Sequence, residues 1–185
     1  MAKLVHLGCG KRYLKGYIHV DLADFPHIDF RHEIRSLPMF EDKSVDLIYA
    51  SHCFEYFDRV EAVDVLKEWR RVLKKGGLLR LAVPDFEGLI KVYEKYHDLD
   101  RVIGPMFGRW PIPGGNTVVY HKTIYDLSAL QDKLIECGFS NVSRWVPEEV
   151  FAGENAGFDD YSRAYVPHMD RNGIHVSLNL QAKRG

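Results

Sequence analysis

Two short apolar runs set close together constrain this chain more than anything else in it. The first, Leu4-Val5-His6-Leu7, runs into Gly8-Cys9-Gly10, and the second, Tyr17-Ile18-His19-Val20, ends in Asp21-Leu22. The pattern predicts a strand, a glycine turn, a short connector and a second strand ending in a carboxylate. Gly8 and Gly10 carry no side chain, so the backbone there can turn sharply and let a ligand approach the strand ends. Asp21 has two oxygens that can accept from both hydroxyls of a ribose. Together these features point to an adenosine-containing cofactor. A dinucleotide fingerprint would place a third glycine at position 13, where this chain has Tyr13. The phosphate cradle of a dehydrogenase is therefore missing, which argues against NAD.

The rest of the chain alternates strand and helix signals. Ten residues separate Gly10 from Asp21, too few for a crossover helix, so a loop or single turn is expected there. Residues 28–34 predict a short strand, broken at Pro38, with Asp29 and Glu33 as its carboxylates. Residues 44–51 form an apolar, β-branched run that reads as a buried strand and ends in His52-Cys53-Phe54-Glu55-Tyr56-Phe57. An amphipathic helix is expected over 60–75, stopped by Gly76-Gly77, with a fifth strand over 78–83. Asp85 leaves that strand at the edge where open α/β sheets bind ligands, which makes it a candidate near an acceptor. A helix follows over 88–96. Residues 104–115 hold three prolines and four glycines and read as an irregular loop, a lid or acceptor pocket around Arg109-Trp110-Pro111. His121 precedes a helix closed by Gly138, then a strand over 139–145. The last strand is expected over 173–180.

Composition narrows the classes. Lysine and arginine total 25 against 26 acidic residues, a balance that gives no electrostatic reason to expect nucleic acid or a membrane surface as partner. The three cysteines, Cys9, Cys53 and Cys137, show no Cys-x-x-Cys spacing, so a disulfide framework is not expected and a reducing cytoplasm fits. The opening Met1-Ala2-Lys3-Leu4-Val5-His6 is too quickly polar for a signal peptide to be expected, and no apolar run in the sequence approaches membrane-spanning length. One domain over 1–185 is expected, with insertions at 86–120 and 151–172.

Leu7-Gly8-Cys9-Gly10 with Asp21 at the end of the next strand resembles the first motif of class I S-adenosylmethionine-dependent methyltransferases. The run Ala50-Ser51-His52, with Glu55-Tyr56 where that family commonly has Glu-His, and Leu73-Lys74-Lys75-Gly76-Gly77 before the fifth strand, are similar to its later motifs. So is the order His121, helix, Gly138-Phe139, strand. The resemblance implies a Rossmann-like, doubly wound, mostly parallel seven-stranded sheet with the last strand antiparallel, on a minimal N-terminus. It implies that Leu7, Gly8, Cys9 and Gly10 lie against the methionine portion, and that Asp21 and Leu22 hold the ribose. Glu33 and Ile34 would meet the adenine, with Asp29 the rival to Glu33 for that role; Ala50 and Ser51 would lie by the sulfur, and His52 would either lie by the ring or cap the turn that follows. Asp159-Asp160-Tyr161-Ser162 and Pro167-His168-Met169-Asp170 look similar to a small bacterial subgroup, close to methyltransferase type 11 proteins, that is associated with surface-polysaccharide synthesis.

The chemistry so implied needs few catalytic groups. A sulfonium already makes its methyl electrophilic, so the protein has to align an acceptor and exclude water. If the acceptor is a hydroxyl, a base helps; His121 is the first candidate, with Asp85 and His52 behind it. The expected acceptor is a small molecule or a sugar, and the expected product S-adenosylhomocysteine. No His-Glu-x-x-His or Cys-x-x-Cys spacing supports a metal; Asp159 and Asp160 are the acids to revisit if a sugar acceptor requires one. A module that binds the nucleotide without transferring methyl groups is the alternative reading.

Overall fold

The computed structural model describes residues 2–153, 159–168 and 170–185. Its centre is a seven-stranded sheet in the order β3-β2-β1-β4-β5-β11-β8. These strands are β1 (Leu4–Leu7), β2 (Tyr17–Asp21), β3 (Phe30–Arg31), β4 (Val45–Ser51), β5 (Leu73–Pro84), β8 (Phe139–Arg144) and β11 (Ser177–Arg184). The first five pair in parallel, and β11 runs antiparallel to both β5 and β8. This is the doubly wound, mostly parallel arrangement that the sequence predicts.

Helix α1 (Glu61–Val72) buries Ala62, Val65, Leu66, Trp69 and Val72 along one stripe, as its apolar spacing requires. Just ahead of it, Asp58 Oδ1 accepts from the Val60 and Glu61 amides at 2.8 Å, and Glu61 returns a bond to the Asp58 amide at 2.9 Å. Donors that a helix start leaves unpaired are thus satisfied reciprocally. With α4 (Leu127–Glu136), α1 covers one sheet face around Leu7, Ile48, Ala50, Leu79 and Leu81. The other face carries Leu14, Tyr49, Ala82, Trp145 and Phe151, the last beside the short α5 (Pro147–Val150). A third cluster, Leu89, Val92, Val102 and Val176, lies under α2 (Phe86–Tyr96) and α3 (Asp100–Phe107).

Several elements differ from expectation. Helix α1 stops at Val72, not at Gly76-Gly77, and residues 74–77 are a bulge in β5. Its register against β4 jumps there, from Val45 opposite Leu73 to Leu47 opposite Leu78. Gly76, with φ +72°, supplies the left-handed residue that the bulge needs. The stretch 104–115 is not an irregular loop: it contains the end of α3 and strand β6 (Arg109–Pro111), which pairs in a hairpin with β7 (Val118–Tyr120) just beyond it. The strand expected over 173–180 is divided. Ile174–His175 (β10) pairs with Tyr165–Val166 (β9), and β11 begins only at Ser177. The strand expected over 28–34 shrinks to Phe30–Arg31. Between β1 and β2 there are only turns, as the spacing demands. Of the segment 155–170 read from the sequence, residues 155–158 and 169 lie outside the described residues. No helix among the described residues is long and apolar enough to cross a membrane.

Candidate active site

A cleft of about 540 Å³ opens at the carboxyl ends of β1, β2 and β4. Its floor is backbone. Gly8 has φ +61° and Gly10 +53°, and a Cβ added to Gly8 would stand 2.5 Å from Cys53 Cβ. Only glycine satisfies both the dihedral and the space. Asp21 braces this turn: its Oδ2 accepts from the Gly10 amide at 2.8 Å and its Oδ1 from the Ala23 amide at 2.7 Å. Each oxygen keeps a second lone pair for a ligand hydroxyl. Ser51 lines the cleft with a buried Oγ that has no hydrogen-bond partner.

Leu22, Glu33, Ile34 and His52 also line the cleft, whereas Leu7, Cys9 and Ala50 are buried behind it. The last three therefore act through the shape of the floor, and Cys9 is a thiol whose pKa burial pushes up. Of the two carboxylates weighed for the third strand, Glu33 faces the cleft. Asp29 instead accepts from the His19 amide at 2.7 Å, a structural bond.

The base candidates are placed differently from expectation. His121 does not line the cleft: its Nδ1 donates to the Pro105 carbonyl at 2.7 Å, and its Nε2 lies 3.8 Å from Glu55 Oε1. The Pro105 carbonyl turns the ring inward, because 100–107 is helical. Asp85 caps α2, accepting from the Glu87 amide at 3.2 Å, and burial raises its pKa. His52 touches the cleft with a left-handed backbone, φ +50°, but its Nε2 bonds Ser177 Oγ at 2.9 Å. Burial lowers its pKa to about 3. Ser177 also lines a second cavity of about 260 Å³ with Arg144, Tyr165, His175 and Asn179.

The sides and roof combine Arg12, which sequence reasoning missed, with the Asp159–Ser162 segment and the lid around Trp110 that it singled out. Arg12 lies 3.6 Å from the Tyr161 ring centre and donates to Asp160 Oδ1 at 2.6 Å. Asp160 is partly buried, but the Arg12 charge and hydrogen bond outweigh that and hold its pKa below the ordinary range. Asp159 is fully buried, which raises its pKa, and it accepts from the Tyr49 hydroxyl and the Tyr161 and Ser162 amides. Both acids are thus engaged within the protein. Among the described residues no cluster of histidine, cysteine and acidic side chains is arranged to hold a metal. The β6–β7 hairpin forms the roof with Trp110, Ile112, Pro113 and Val119. It is latched to the floor by the Asp24 amide to the Pro113 carbonyl, 3.0 Å, and by Arg31 Nη2 to the Gly114 carbonyl, 2.9 Å.

Comparison with known proteins agrees with this geometry. The family model of a methyltransferase domain matches residues 6–81. An uncharacterized methyltransferase-like protein of Schizosaccharomyces pombe is 36% identical over 93 residues, 46% of this chain and 34% of the relative. The chain thus spans about a third of that relative's length. A crystal structure of a SAM-dependent methyltransferase from Methanosarcina mazei superposes with a TM-score of 0.58 at 19% identity, over 98% of this chain and 92% of that one. A SAM-dependent methyltransferase from Archaeoglobus fulgidus gives 0.56 at 18% identity, over 98% and 86%. The chain therefore has the Rossmann-like fold of the S-adenosylmethionine-dependent methyltransferases and matches their methyltransferase domain over residues 6–81.

Proposed function

We propose that this protein is an S-adenosylmethionine-dependent methyltransferase acting on a small-molecule or sugar acceptor. The observation that carries the reading is the floor of the cleft: two left-handed glycines, the braced Asp21 and the unpartnered Ser51 Oγ on adjoining parallel strand ends. These fit the cofactor. Asp21 would take the ribose hydroxyls, and Gly8 and Gly10 would admit the amino-acid portion close to the backbone. Glu33 beside Ile34 and Phe57 offers a polar edge on an apolar wall for the adenine ring.

S-adenosylmethionine supplies a methyl group that is electrophilic before it arrives. What the chain contributes is alignment and exclusion of water, which the hairpin roof favours by covering the cleft with apolar side chains. None of His121, Asp85 and His52 offers a free lone pair to the cleft, so an acceptor nucleophilic without proton removal, such as a neutral amine, suits the site better than an alcohol. A sugar acceptor rests on the Asp159–Ser162 segment, whose Tyr161 lines the cleft. A cytoplasmic location agrees with three free, buried cysteines.

Calorimetry with S-adenosylhomocysteine tests the reading. Binding to the wild type that Asp21→Ala abolishes is expected, together with a rise in Tm on adding S-adenosylmethionine but not NAD. A folded wild type that binds neither adenosyl ligand would overturn it. Binding with no turnover across amine and sugar acceptors would leave the alternative, a binding module of the same fold.

A further inference from the structure

One buried ionisable group has no part in the cofactor site. Glu55 lies in the 3-10 turn after β4, fully buried, and neither carboxyl oxygen has a hydrogen-bond partner. An ionised carboxylate in that position is costly: burial strips its water, and the neighbouring Phe54 and Glu55 amides offset only part of that loss. The groups facing it are His52 from its own turn, with Nδ1 at 3.6 Å from Oε1, and His121 from the base of the hairpin, with Nε2 at 3.8 Å. Cys53, Tyr56 and Tyr125 feel its charge as well.

Hydrogen bonding fixes which ring nitrogens are protonated. The Pro105 carbonyl can only accept, so His121 Nδ1 carries its hydrogen and Nε2 of the neutral ring is bare. Asn179 Nδ2 donates to the Ser162 carbonyl at 2.8 Å, which turns Asn179 Oδ1 toward Ser177 Oγ at 2.9 Å. The Ser177 hydroxyl donates to that oxygen and so accepts from His52 Nε2, leaving His52 Nδ1 bare. Two lone pairs therefore converge on one carboxyl. A carboxylate there would face both lone pairs across 3.6 and 3.8 Å and be repelled by them; a protonated carboxyl turns an O–H toward them instead.

We propose that Glu55 remains a protonated carboxylic acid at neutral pH and, with its O–H turned toward the bare nitrogens of His52 and His121, is the positioning residue that fixes the roof of the cleft to its floor. The backbone agrees with this role. The Glu55 carbonyl accepts from the Lys122 and Thr123 amides at 2.8 and 3.2 Å, so the turn already anchors the hairpin's base. His121 packs so closely against that base that a Cβ on Gly108 would stand 2.7 Å from its Nε2. Burial raises the Glu55 pKa to about 8, in the same sense.

The direct test is carbon NMR on protein labelled at the glutamate carboxyl carbon, with Glu55→Gln identifying the resonance. Expected is one glutamate signal at the protonated position at pH 7, absent from Glu55→Gln and titrating near pH 8. A Glu55 signal already ionised at pH 7, with His121 as an imidazolium, would overturn the proposal; the wild-type spectrum decides this whether or not the variant folds. A second readout rests on the cofactor reading above. S-adenosylhomocysteine affinity should fall about tenfold between pH 6.5 and 9 in the wild type and stay level in Glu55→Gln, whose amide keeps a donor at every pH. Equal slopes in the two proteins would also overturn it. Failure of the ligand to bind at any pH would count against the cofactor reading, while the NMR titration still decides the state of Glu55.

Discussion

The floor and the roof of the cleft are built on different principles. The floor is backbone and short-range: Gly8 wedged against Cys53, and Asp21 holding amides 11 and 2 residues away in sequence. The roof is a three-residue by three-residue hairpin held at its tip by Asp24 and Arg31 and at its base by Glu55. Strain in the floor therefore has nowhere to relax, whereas the roof can shift by breaking a few exposed bonds. A floor made this way suits a cofactor of fixed shape, and a roof made that way suits passage in and out.

Changes at Gly8 should break the comparison most severely. Gly8→Ala places a Cβ against Cys53 in a left-handed backbone, and a loss of roughly 2–4 kcal/mol in urea unfolding is expected, with no adenosyl ligand bound. Asp21→Ala comes next. Losing a charged acceptor for the ligand and the brace on Gly10 should weaken S-adenosylhomocysteine about 100-fold, with Asp21→Asn intermediate, as read by calorimetry.

The pH dependence tests the joint between the two regions. Folding raises the Glu55 pKa to about 8, so between the ordinary carboxyl range and pH 8 the folded chain holds a proton that the unfolded chain has released. Stability falls as pH rises through that window. His52, lowered to about 3, acts oppositely below its ordinary value, so above about pH 6.5 the Glu55 effect is no longer offset by it. Thermal melts should drop by roughly 4 °C from pH 6.5 to 8 in the wild type, and by less in Glu55→Gln. The smallest effect belongs to the roof latch. Arg31→Ala removes an exposed contact, so stability should change by about 0.5 kcal/mol or less while ligand dissociation, followed by stopped flow, quickens a few-fold.

The same contrast explains what could be read from the sequence. The floor was legible because its signals are local: apolar runs that end in Gly-x-Gly and in a carboxylate. The roof was legible only as a lid around Arg109-Trp110-Pro111, and its hairpin was not, because prolines and glycines at 104–115 mark breaks without saying what the breaks pack on. A helix over Asp100–Phe107 places Pro105 so that its carbonyl captures His121, which the sequence alone aimed at the cleft. Gly76-Gly77 misled for a related reason, since a helix stop and a strand bulge both call for a left-handed glycine. Arg12 gave no signal, because Asp160, its partner, lies 148 residues away.

The turns between β1 and β2 also bear on how the chain finds this fold. Leu4 pairs with Tyr17, 13 residues on, whereas Pro84 pairs with Ser177, 93 residues on. Closing the longer loop costs about 1.7 kcal/mol more chain entropy. The glycine turn and its carboxylate can thus come together early, from contacts that stay local. Strand β11, wedged between β5 and β8, must wait for most of the chain. These separations favour the floor forming ahead of the far edge of the sheet, and until β11 is in place that edge is where association with other chains would begin.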